Sequence, residues 1–167
     1  MAELGPGHSI GVGLAALLTG SDKYFGLDQT AGMPTYRTTA FILEQLIDRY
    51  RCPRNGSWNG DEAWRSPRSD GLFVHGVAGD AASAALRPER IGAIQAILRT
   101  GHTGATIEIR YFALYPQPSS TNSLLTIISQ AVLEHAGDLA YTYRAMAQIW
   151  PGGWMSHQID FAAIPRR

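Results

Sequence analysis

The block between Pro34 and Pro53 constrains the fold most. Within it Phe41, Ile42, Leu46, Ile47 and Tyr50 recur at helical spacing, which gives a helix with one face that must be buried. Thr35 stands where an N-cap is wanted, and Pro53 helps to stop the helix. Arg37, Glu44, Asp48 and Arg49 lie mostly on the opposite, solvent-facing side. A chain carrying this block needs a second apolar surface to receive it.

Other segments read the same way. Residues 8–19 give a short helix with its small residues on one side. Asp70 offers a cap for an alanine-rich helix over 71–86, with a brief strand at 72–75 as the alternative. Pro88 suits a first helical position, Ile91, Ile94, Ala96, Ile97 and Leu98 form a buried set, and Gly101 ends that helix. Residues 119–136 look helical through Leu124, Leu125, Ile128 and Val132, with Gly137 at a C-cap position. Asp138 caps the next helix, which Pro151-Gly152-Gly153 ends; residues 154–167 form a last extended or helical arm. Residues 103–115 stay open, because Ile107, Ile109 and Tyr111 alternate like a strand while Ile107, Tyr111 and Leu114 also fit a helix. The opening segment, Met1 to Pro6, is too short and too rich in Gly and Pro for a central strand.

The expectation is therefore a mainly α fold, one compact domain over 1–167 with five to seven helices and a possible short strand near 72–75 or 106–112. A long irregular loop is expected over 52–69, where Asn55-Gly56 and Asn59-Gly60 mark turns.

Composition narrows the class. The 167 residues carry 14 Lys and Arg against 14 Asp and Glu, so the basic excess of an electrostatic nucleic-acid binder is missing overall. Only 17% of residues are charged, and a weakly charged, neutral surface tends to self-associate, which makes a homo-oligomer an expectation. Cys52 is the single cysteine, so no internal disulfide and no cysteine-based metal cluster can form. The histidines lack ligand spacing, and neither a metal nor a cofactor is expected. The apolar run from Ile10 to Leu18 is far below the roughly 20 residues of a membrane span. The chain is expected in the cytoplasm, away from membranes.

Two resemblances suggest chemistry. Gly7-His8-Ser9-Ile10-Gly11 spells G-x-S-x-G, and Leu72-Phe73-Val74-His75-Gly76 looks like the strand-then-His-Gly segments of the α/β-hydrolases. That resemblance implies a serine hydrolase with Ser9 as nucleophile, Asp80 as the acidic member and His135 as the base.

Ile107-Glu108-Ile109-Arg110-Tyr111-Phe112, followed by Ser129 to Met146, resembles over residues 87–150 the sigma-region-4-like helical phage transcription regulators, some antitermination proteins among them. That likeness implies a helix-turn-helix over 129–146. Ala131 and Val132 would sit on its first helix, Gly137 at the turn, and Tyr141, Thr142, Tyr143 and Arg144 on the helix facing nucleic acid. Arg54, Arg65 and Arg68, interleaved with Trp58 and Trp64, would add cations and stacking rings. The sequence-based expectation is a non-enzymatic helical regulatory module contacting DNA or a transcription protein. A serine hydrolase and a structural or assembly protein are the alternatives.

Overall fold

The computed structural model describes residues 1–28, 35–51, 86–101, 104–113, 126–149 and 151–160. Five strands run in order along these segments: β1 (Ala2–Leu4), β2 (Lys23–Asp28), β3 (Glu108–Ala113), β4 (Thr126–Gln130) and β5 (Trp154–Gln158). Four helices accompany them among the described residues: α1 (Gly11–Leu18), α2 (Tyr36–Arg51), α3 (Pro88–Thr100) and α4 (Leu139–Ile149). The strands form one sheet in the order β3-β2-β1-β4-β5, and every pairing is parallel. The fold is α/β.

This corrects the expectation of a mainly α domain with five to seven helices. The main error lies at the start of the chain, where the segment judged too short for a central strand is the central strand. Three residues suffice because β1 is paired on both sides, Glu3 sitting between Gly26 and Ile128. The ladder also runs past its ends: Phe25 donates its N–H to the Met1 carbonyl at 3.0 Å, and Gly5 donates to the Leu27 carbonyl at 2.7 Å.

The second error is at 119–136, where the described part is strand β4 followed by a bend and a 3-10 turn rather than an α-helix. Ile127 and Ser129 are buried with their neighbours half-buried, a period of two that a short run rich in isoleucine shares with a helical pattern. Within the open segment 103–115, Glu108 to Ala113 form strand β3, close to the possible short strand at 106–112. The helices expected near 8–19, 35–50, 88–100 and 139–150 are present as α1 to α4. Gly101 ends α3 with φ +69°, and the Tyr141 amide donates to Asp138 Oδ1 at 2.8 Å at the start of α4. The loop over 52–69 and the strand alternative at 72–75 lie outside the described residues.

Both faces of the sheet are covered. On one face Tyr24 and Ile109 pack with Leu14 and Leu17 of α1, Leu43 and Ile47 of α2, and Ile94 and Ile97 of α3. On the other, Ala2, Leu4, Phe25, Leu27 and Ile127 pack with Met146 of α4. Of the apolar face read from Pro34 to Pro53, Ile42, Leu46, Ile47 and Tyr50 meet this core, whereas Phe41 is exposed. Gly13 lets α1 close on the sheet, since a Cβ there would overlap the Tyr24 ring. Arg90 ties α3 to the turn after α1, donating to the Leu17 carbonyl and the Ser21 carbonyl at 2.6 Å each and to Asp22 Oδ1 at 3.3 Å.

Candidate functional site at the carboxyl edge of the sheet

Strand order decides where a ligand fits. From β1 the chain moves outward to β2 and β3, then returns to the other side of β1 for β4 and β5. The turns after β1 and β4 therefore diverge, and in open parallel sheets this switch point is where ligands bind, outside the carboxyl ends of the strands.

The turn after β1 is Gly5-Pro6-Gly7-His8-Ser9-Ile10. Gly5 and Gly7 have φ of +60° and +61°, values that glycine adopts without strain. Gly5 also has no room for a side chain, because a Cβ would lie 2.6 Å from Val132 Cγ2 in the turn after β4. The two diverging turns touch there. Asp28 closes the other side: it ends β2, lies 21 residues after Gly7, and its Oδ2 accepts the Gly7 N–H at 2.9 Å. Tyr111 of β3 donates its hydroxyl to the same Oδ2 at 3.1 Å and lies 3.4 Å from the Gly7 carbonyl. Burial and the bond to Asp28 push the Tyr111 phenol up to about 12, so it stays a donor.

Beneath this edge lies a buried carboxyl. Glu3 of β1 is 5% exposed and accepts the Tyr24 hydroxyl at 2.7 Å. Burial raises its pKa to about 7, against the lowering effect of the hydrogen bonds from Tyr24 and the Gly13 backbone.

The β4 and β5 side carries further polar groups. Ala131, directly after β4, has φ +51° and is the one non-glycine residue with positive φ among those described. Its N–H donates to the Gln158 carbonyl at 3.0 Å. A 3-10 turn, Leu133–His135, follows, and Glu134 Oε2 in it is buried without a hydrogen-bond partner. Ser129 Oγ and His157 Nδ1 are 2.8 Å apart across β4 and β5, Tyr143 of α4 meets the imidazole edge-on, and burial lowers the His157 pKa. A separate cleft of about 380 Å³ lies beside the starts of β2 and β3, lined by Arg87, Glu89, Arg90, Ala93, Thr106 and Ile107. Its Arg90 already holds α3 in place.

The residues expected from sequence fall in several places. Ser9 does sit between a strand and a helix, but its Oγ accepts the N–H of Gly11, the first residue of α1, at 3.1 Å. His135 lies in the 3-10 turn and is exposed, no described hydrogen bond joins it to Ser9, and Asp80 lies outside the described residues. Tyr141, Thr142, Tyr143 and Arg144 are on α4, with Tyr141 exposed and the Thr142 hydroxyl bonded to the Asp138 carbonyl. The first helix of the expected helix-turn-helix is absent: residues 129 and 130 end β4, and a bend and 3-10 turn follow. Arg54, Arg65 and Arg68 lie outside the described residues.

Sequence reasoning missed Gly5 and Asp28, and gave Gly7 and Tyr111 other roles than the ones this edge shows. The signal that could have found them is G-x-G after a strand with an acidic residue about 20 positions on, and it is legible only once Ala2–Leu4 is read as a strand. Comparison with protein families, characterised proteins and solved structures gives no match. Among the described residues no helix is long and apolar enough to cross a membrane, and no cluster of His, Cys, Asp and Glu could hold a metal ion.

Proposed function

We propose that this chain binds an adenosine-bearing cofactor across the switch point, with S-adenosylmethionine as the class that fits and methyl transfer as the reaction. The observation that carries the reading is Asp28, fixed to the Gly7 amide at the carboxyl end of β2. In parallel nucleotide-binding sheets a carboxylate at this place accepts the ribose hydroxyls.

A dinucleotide fits less well. Its fingerprint G-x-G-x-x-G sets a third glycine where this chain has the buried Ile10. A pyrophosphate also needs backbone N–H groups at the helix N-terminus. Here the Gly11 amide is capped by Ser9 and the Gly7 amide by Asp28. The described turns after β1 and β4 contain no Lys or Arg, whereas Asp28 and Glu134 are acidic. Such an edge repels phosphate and attracts the sulfonium and ammonium charges of an adenosyl amino acid. Asp28 would hold the ribose, the Gly5–Gly7 turn would lie against the adjoining chain, and Gly5 and Val132 would set the floor. When bound, such a cofactor supplies a methyl group to a nucleophile placed beside β4.

Isothermal titration with S-adenosylhomocysteine tests this. Binding is expected, with Asp28→Asn weakening it about tenfold or more through loss of a charge-assisted hydrogen bond. NAD or ATP binding as tightly, or an unaffected Asp28→Asn variant, would overturn the reading. Salt-dependent DNA binding lost in Arg144→Ala, with no nucleoside binding, would favour the regulatory module instead.

A further inference from the structure

We propose that Tyr111 is a positioning residue for Asp28, and through it sets how strongly the site selects a ligand with intact ribose hydroxyls. This rests on the cofactor reading above. Tyr111 belongs to β3, a strand that supplies neither the glycine turn nor the acid. Its hydroxyl nevertheless reaches both, at 3.1 Å from Asp28 Oδ2 and 3.4 Å from the Gly7 carbonyl.

The reach is built into the register. Tyr111 pairs with Gly26 in the β2–β3 ladder, and a Cβ at Gly26 would lie 2.9 Å from Tyr111 Cδ2 and 3.3 Å from Pro6 Cγ. The absent side chain lets the Tyr111 ring lie across β2 toward the turn after β1. A bulkier residue at 26 would push the hydroxyl away from Asp28.

The consequence is geometric. A carboxylate held by one donor can rotate about its Cβ–Cγ bond. Asp28 Oδ2 accepts from both the Gly7 N–H and the Tyr111 O–H, which come from the turn after β1 and from β3 and restrict rotation of the carboxylate. A diol meeting this carboxylate finds it already oriented, so less freedom is lost on binding. A phenol with a raised pKa keeps its proton throughout the physiological range and stays a donor.

The test uses S-adenosylhomocysteine and its 2′,3′-dideoxy analogue, titrated calorimetrically into the full chain. Tyr111→Phe keeps the ring over Gly26 and removes only the hydroxyl, and its melting temperature serves as the folding control. Wild type should prefer the ribose ligand. Tyr111→Phe should weaken S-adenosylhomocysteine about tenfold, the worth of one hydrogen bond to a charged group, and leave the dideoxy analogue unchanged. In an Asp28→Asn background, Tyr111→Phe should have little further effect on either ligand.

Equal weakening of both ligands would make Tyr111 a general packing residue and overturn the inference. So would unchanged affinity. Tighter binding by Tyr111→Phe would show that the phenol occupies the ribose position, and would overturn it too. If wild type fails to discriminate the two ligands, Asp28 is not the ribose carboxylate, and the cofactor reading falls with this one. If Asp28→Asn abolishes discrimination while Tyr111→Phe does not alter it, only the role of Tyr111 is refuted.

Discussion

Glu3→Gln should flatten the pH dependence of stability between about pH 4.5 and 8. Glu3 sits on the central strand, 5% exposed, with its carboxyl raised from 4.5 to about 7 chiefly by burial. Because the folded pKa lies above the unfolded one, the native state binds the extra proton in that window. Stability is then fully present below about pH 4.5 and falls as pH rises through 7. At about 1.4 kcal/mol per pH unit, the displacement amounts to roughly 3 kcal/mol. A neutral glutamine keeps an oxygen to accept the Tyr24 hydroxyl and the Gly13 N–H without the cost of a buried charge. Urea denaturation of both proteins at half-unit steps from pH 4.5 to 8.5 measures the effect. The difference between the two curves cancels every other titrating group, including His157. It should change by roughly 3 kcal/mol in favour of the variant as pH rises. Parallel curves would mean that Glu3 titrates at its ordinary value and that its burial costs nothing.

Two glycine-related predictions follow from backbone geometry. Gly13→Ala places a methyl group into the Tyr24 ring at the α1–β2 contact and should cost about 1–3 kcal/mol, read as a lower urea midpoint with unchanged slope. Ala131→Gly relieves a left-handed alanine worth about 1–2 kcal/mol, offset by about 0.4–1 kcal/mol of added unfolded-state freedom. A melting temperature higher by a few degrees is expected, and a fall would show that Ala131 is not strained.

The buried carboxyl and the edge carboxylate lie at different depths. Glu3 lies below the glycine turn and bears on the fold, whereas Asp28 and Tyr111 meet at the edge of the sheet, where the proposed ligand would lie. Ser129 and His157 lie one position beneath the end of β4 and β5, with Ser129 level with Leu4 on the central strand. These groups come from all five strands, and parallel pairing brings the carboxyl ends of those strands to one line.

Helices were readable wherever a cap, a period and a stop agreed. The block from Thr35 to Tyr50, the Pro88–Gly101 segment and the Asp138 cap each specify their structure locally, through hydrogen bonds and side-chain spacing within a few turns. The ambiguous run at 106–112 was half legible, since alternation at Ile107 and Ile109 fits β3 but does not exclude a helix. The sheet was not legible. Ala2-Glu3-Leu4 has no period long enough to read, and it becomes a strand only because β2 and β4 supply hydrogen bonds on both sides. Asp28 and Tyr111 have the same history, 83 residues apart in the chain and 3.1 Å apart in the fold. The sequence by itself determined helices α1 to α4, which depend on neighbours along the chain, and the absence of an internal disulfide, since Cys52 is alone. Tertiary structure alone decided the parallel sheet and the site at its edge, because parallel pairing joins segments that share no local signal.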